Sequence, residues 1–201
     1  SRAKYELFQR LNSGGAELSP QESRNCVATM LNADLFSKLI QLSEFQPFRD
    51  SIALTNRAVE EQKHVELALR FLAYRYKAYK STIDVHDWLD EVLIDMSQDN
   101  AYNIDQERQV FEKTFSLLFS LLGSNAFKRF DGAFNGSFSI AAFEAISHGV
   151  SLNIEKLLPE YRHQELISRI GAMWSEHDFL DSTKAGTRGS TRLGKLLPFA
   201  K

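Results

Sequence analysis

The stretch Asn56–Lys80, NRAVEEQKHVELALRFLAYRYKAYK, decides the fold class. Val65, Leu69, Leu72, Tyr76 and Tyr79 recur four and three residues apart, the spacing that lines up apolar side chains on one face of an α-helix. A half-buried strand would need alternation with a period of two, and no such run longer than a few residues occurs in the chain. The flanking segments repeat the helical signal. On the N-terminal side, ADLFSKLIQL puts Leu35, Leu39 and Leu42 on one face. Before it, SPQE (Ser19–Glu22) carries helix-start chemistry: Ser19 can cap, Pro20 suits the first helical position and Glu22 completes a capping box. That helix is expected to continue through Val27, Met30 and Leu31, with Cys26 as a small buried apolar residue.

On the C-terminal side, Thr82 or Asp84 opens VHDWLDEVLIDMS, where Val85, Leu89, Val92 and Met96 recur beside Trp88. DQERQVFEKTFSLLFSLLG follows, with Phe111, Phe115, Leu118 and Leu122 on one face and Gly123 as the stop. NAFKRFDGAFNGSFS is aromatic and glycine-containing, which predicts an ordered loop with short helical turns. SIAAFEAISHGV, PEYRHQELISRIGAMWSEHDFL and TRLGKLLPF complete the helical set. The expected fold is therefore all-α, a compact bundle of seven to nine helices, without internal repeats or an extended polar linker.

The chain has 201 residues, 43% hydrophobic and 25% charged, the balance of an ordinary globular protein with room for a sizeable core. One cysteine excludes an internal disulfide and a cysteine-based metal site, and a reducing cytoplasm is the expected compartment. The apolar runs are too short and too interrupted to cross a bilayer. A net charge of −2 hides an asymmetry: Ser182–Lys201 holds five basic residues and no acid, leaving 19 basic against 26 acidic residues elsewhere. A basic tail on an acidic body suits DNA contact through Lys184, Arg188, Arg192 and Lys195, or docking of the tail on the body itself.

The N-terminal stretch YELFQRLNSGGAELSPQESRNC contains adjacent glycines, Gly14 and Gly15. Read from the residues, they form either a tight connector ahead of a capped helix or a loop whose amides, with Arg10 and Asn12, line a ligand pocket. Neither the strand-to-helix setting nor the lysine of a Walker-type phosphate loop is present. Leu7–Asn25 resembles the block F-x-R-[LI]-N-[ST]-G-G-x-x-L-[ST]-x-x-E-[LI]-R-N of the GmrSD-type, D-G-Q-Q-R-motif restriction proteins of bacteria. The matching positions are Phe8, Arg10, Asn12, Gly14, Gly15, Leu18, Glu22, Arg24 and Asn25. VELALRFLAYRY and GTRGSTRLGKLLPFA are similar to weaker family features.

The resemblance implies a helical region following a ParB/sulfiredoxin-like α/β domain that binds and hydrolyses a nucleoside triphosphate, with a nuclease domain or subunit in some members. It implies antiviral defence against modified DNA. D-G-Q-Q-R occurs nowhere in these residues, nor does an HNH signature, so no catalytic residue, cofactor or metal ligand is carried over. The expected organisation is a joint and capped helix over residues 1–32, continuing from a ParB-like domain upstream, then a helical domain over 33–201. Arg10, Asn12, Gly14, Gly15, Arg24 and Asn25 are the expected contacts to that domain or its nucleotide; Arg10, Asn12, Arg24 and Asn25 equally suit bracing the loop, with Glu22 paired to an arginine.

Two other readings stand beside this one. The chain can be a stand-alone helical interaction module in which the glycines only make a turn. Alternatively Arg57 and His64, seven apart and so expected on one helix face, loosely resemble the arginine–histidine motif of HEPN ribonucleases, where histidine does acid–base work and arginine stabilises phosphoryl charge. His64, His86, His148, His163 and His177 show no H-E-x-x-H spacing, and Asp84, Asp87, Asp90 and Glu91 around His86 fit a solvated helix face better than a metal site.

Overall fold

The computed structural model describes residues 20–184 and 186–200, so the glycine joint with Arg10, Asn12, Gly14 and Gly15, and the capping role of Ser19, lie outside the described residues. The first half contains α1 (Pro20–Leu31), α2 (Ala33–Ser43), α3 (Gln46–Ile52), α4 (Asn56–Glu60), α5 (Lys63–Tyr76), α6 (Val85–Gln98) and α7 (Ile104–Leu122). After a short antiparallel ladder of β1 (Arg129–Phe130) and β2 (Phe134–Asn135), with Arg129 opposite Asn135, come five more helices. These are α8 (Ile140–Leu152), α9 (Ile154–Leu157), α10 (His163–Met173), α11 (His177–Thr183) and α12 (Gly189–Phe199).

The fold is all-α, with twelve α-helices among the described residues where seven to nine were expected. The surplus comes from short elements: α3, α4, α9 and α11 have four to seven residues, too few turns to display a 3.6-residue period. Local capping accounts for many of the boundaries. Asn32, Thr55, Asp84, Asn103 and Ser139 each accept a backbone N–H from the first turn of α2, α4, α6, α7 and α8.

The stretch Asn56–Lys80 is not one helix. Gln62 takes a left-handed backbone (φ 55°) and divides it into α4, which buries nothing, and α5, whose residues His64–Tyr74 are all buried. The break separates a short helix at the surface from one that runs through the core. Cys26 also departs from expectation. The buried residues of α1 are Gln21, Arg24, Val27 and Ala28, and Cys26 falls off that stripe and is exposed, as is Met30.

Helices α5 and α8 form the centre. α5 packs on α1, α2, α4, α6 and α8, while α8 also meets α7, α9 and α12. Phenylalanines knit the surrounding layers together: Phe111 and Phe115 of α7 lie 4.5 Å apart between ring centres, Phe48 of α3 lies 4.8 Å from Phe115, and Phe71 of α5 lies 5.1 Å from Phe111. Phe127 and Phe143 extend this cluster into α8 at 5.2 Å. Such tilted and edge-on pairs are the arrangement that ring quadrupoles favour.

Candidate functional site

A helix buried on every side cannot send its polar residues to water, so they must bond to each other. On α5, Glu66, Arg70 and Tyr74 recur at intervals of four and share one face. The Arg70 guanidinium donates from Nε to Glu66 Oε1 at 2.8 Å, and from Nη1 to Glu144 Oε1 of α8 at 3.1 Å and to the Tyr74 hydroxyl at 3.2 Å. Arg192 of α12 closes the network from the other side, donating from Nε and Nη2 to the two oxygens of Glu144 at 2.7 and 3.2 Å. Glu144 is 0% exposed. Three helices distant in sequence are thereby cross-linked through one carboxylate.

The electrostatics follow from that enclosure. Burial alone would raise the Glu66 carboxyl, but Arg70 and Lys63, through charge and hydrogen bonds, hold it at about 2. Burial, reinforced by the neighbouring Glu144 charge, pushes the Tyr74 phenol above its ordinary range, so it remains a neutral hydrogen-bond donor. Burial works against the charged form of Arg70, yet its anionic neighbours raise it overall, so it remains a cation.

Of the residues expected at the N-terminal joint, two are described. Arg24 is 2% exposed: its Nε lies 3.1 Å from Asp90 Oδ1 of α6, and its Nη2 donates to His86 Nδ1 at 2.9 Å. A guanidinium has no lone pair to offer, so this ring nitrogen accepts and His86 is neutral. Burial, with Arg24 and Arg70 opposing Glu66, lowers the His86 imidazole below its ordinary value. Asn25 accepts from Gln21 and donates to Gln62, the residue at the break between α4 and α5. The acids Asp84, Asp87 and Glu91 are exposed along α6, and among the described residues no three His, Cys, Asp or Glu side chains converge as metal ligands would.

The basic C-terminal residues do not act as one group. Arg188 precedes α12 and Lys195 lies on it, both exposed, whereas Lys184 pairs with Asp181 at 2.6 Å and Arg192 turns inward to Glu144. Arg57 and His64 occupy different helices: Arg57 is exposed and bonded to Glu61, while His64 is buried with its Nε2 3.0 Å from Glu44. They therefore share no helix face.

A cavity of about 570 Å³ opens between the β1–β2 ladder with the start of α8 and the turn joining α11 to α12. Its lining includes Arg129, Lys184 and Arg192, with hydroxyls such as Ser137 and Thr183, and contains no acidic residue. Sequence reading overlooked this cavity and the central network. Arg129 was hidden in an aromatic loop, and the four-residue recurrence of Glu66, Arg70 and Tyr74 was the signal available for the network.

Compared with known proteins, the chain matches no family model, no curated protein and no solved structure.

Proposed function

We propose that this chain is the non-catalytic helical region of a nucleotide-dependent DNA-defence protein of the modification-dependent restriction type. In this reading it works in the bacterial cytoplasm as the scaffold for a ParB-like domain, and its basic C-terminal segment meets DNA. The nucleoside triphosphate is bound by the ParB-like domain, and a nuclease domain or subunit cuts. The observation that carries the reading is the burial of Arg24. The family-like block closes on Arg24 and Asn25, and both are clamped to the helical body, Arg24 by Asp90 and His86 and Asn25 by Gln62. That pairing anchors the C-terminal end of the block on the helical body.

The coding sequence immediately upstream provides the first test: a domain bearing D-G-Q-Q-R is expected there, and its absence removes the reading. When that domain and this chain are expressed as one polypeptide, Arg24→Ala should loosen their association, detected as faster proteolysis between them, with a smaller effect from Asn25→Ala. For the DNA surface, retardation of a duplex in a gel should weaken with added salt and fall when Arg188 and Lys195 are both changed to alanine. Equal retardation of the intact and doubly substituted chains eliminates that surface.

One observation favours the alternative of a helical interaction module. A second cavity of about 570 Å³ lies between α8, α10 and the end of α12, bordered by Leu166, Met173 and the exposed Phe199, and is mainly apolar.

A further inference from the structure

We infer that the cavity between the β1–β2 ladder and the α11–α12 turn is a binding site for a terminal phosphate group, a phosphomonoester. Three cations from separate parts of the chain converge on it, and no carboxylate is in its lining. Arg129 is exposed and has no hydrogen-bond or ion-pair partner among the described residues, so its guanidinium is available in full. Arg192 spends Nε and Nη2 on Glu144, and its Nη1 takes no part in those bonds. The Glu144 clamp holds Arg192 rigidly, which lowers the entropy lost when an anion is bound. Lys184 supplies a third charge, shared with Asp181 at 2.6 Å.

The remaining donors suit the same group. Ser137 contributes a hydroxyl, and Ile140 and Ala141, also in the lining, begin the thirteen-residue α8, where first-turn amides have no partner within the helix. A dianionic phosphomonoester offers three oxygens to this spread of donors, and arginine forks match its geometry. The concave shape selects an end. A phosphodiester within a continuous duplex carries chain on both sides and cannot enter, whereas a mononucleotide or the 5′ end of a strand can. The volume lies in the range of small-ligand sites. This site is independent of the DNA-defence reading, because it needs neither an upstream domain nor Arg188 and Lys195.

Calorimetric titration of the whole chain with inorganic phosphate and with thymidine 5′-monophosphate tests it. One molar equivalent should bind, and Arg129→Ala should weaken it about tenfold or more, the scale of one lost charge-assisted hydrogen bond. Lys184→Ala should weaken it less, Arg129→Lys should restore part of the loss, and Arg57→Ala, at an exposed cation outside the lining, should leave it unchanged. A 5′-phosphorylated oligonucleotide binding more tightly than its 5′-hydroxyl counterpart identifies a strand end as the source; preference for the mononucleotide identifies a free metabolite. Either preference supports the site. No binding of phosphate or mononucleotide, or equal losses from Arg129→Ala and Arg57→Ala, overturns it. Loss of duplex retardation through Arg188→Ala and Lys195→Ala, with phosphate binding intact, leaves the pocket standing and concerns only the DNA surface.

Discussion

Arg70 sits buried between two carboxylates, and its replacement by methionine leaves Lys63 for Glu66 and Arg192 for Glu144 as the remaining ion-pair partners. Breaking a buried pair by removing one partner costs about 3–5 kcal/mol, so Arg70→Met should shift the urea midpoint far down; a change under about 1 kcal/mol would show that the network contributes little. The pH dependence has a defined sign. Glu66 is depressed from 4.5 to about 2 in the folded chain, so its contribution is present above pH 4.5 and lost as pH falls toward 2. Its full size is about 3 kcal/mol by linkage, and Glu66→Gln should flatten that part of the stability–pH curve. His64 and His86 titrate in another window. Both are lowered, chiefly by burial, from 6.5, so the unfolded chain takes up protons first and stability begins to fall below about pH 6.5. A stability curve flat from pH 7 to 3 would contradict both assignments.

At the scale of elements, the ends of helices matter more than their middles. α3 stops because Ala53 adopts a left-handed backbone (φ 41°, ψ 50°) and returns its N–H to Arg49 O at 3.1 Å. An L-residue in that region costs about 1–2 kcal/mol, and glycine removes the clash while losing about 0.5–1 kcal/mol to its freer unfolded chain. Ala53 is exposed, so Ala53→Gly should stabilise by up to about 1 kcal/mol, read as a melting temperature roughly 2–4 °C higher. A lower melting temperature would mean that α3 does not end this way. Helix faces were legible on several of the longer elements: Leu35, Leu39 and Leu42 on α2, and Phe111, Phe115 and Leu118 on α7, are buried as their spacing predicts. Leu122, by contrast, is half-buried, and the twelve-residue α1 leaves Cys26 and Met30 exposed. The break at Gln62 was not legible, because apolar periodicity continues through α5 and glutamine carries no stop signal. The same break separated Arg57 from His64.

At the scale of the molecule, α12 returns from the far end of the chain to lie along α8. Gly149 permits that approach: a Cβ there would meet the Ala200 carbonyl oxygen at 2.5 Å. Gly149→Ala should push the end of α12 outward, cost about 1–3 kcal/mol as overpacking does, and expose the last helix to limited proteolysis. An unchanged cleavage pattern would show that α12 can shift freely. Helical class, the faces of α2 and most of α7, the lack among the described residues of a helix long and apolar enough to cross a membrane, and the concentration of base at the C-terminus were all determined by local order in the sequence. Periodicity, composition and charge need no knowledge of distant contacts. The pairing of Glu144 with Arg70 and Arg192, the inward turn of one tail arginine while Arg188 and Lys195 face water, and the placing of Arg129 and Lys184 around one cavity were decided only by tertiary structure. Each depends on which helices are forced together when α5 and α8 are buried on every side, and no local pattern encodes that choice of neighbours.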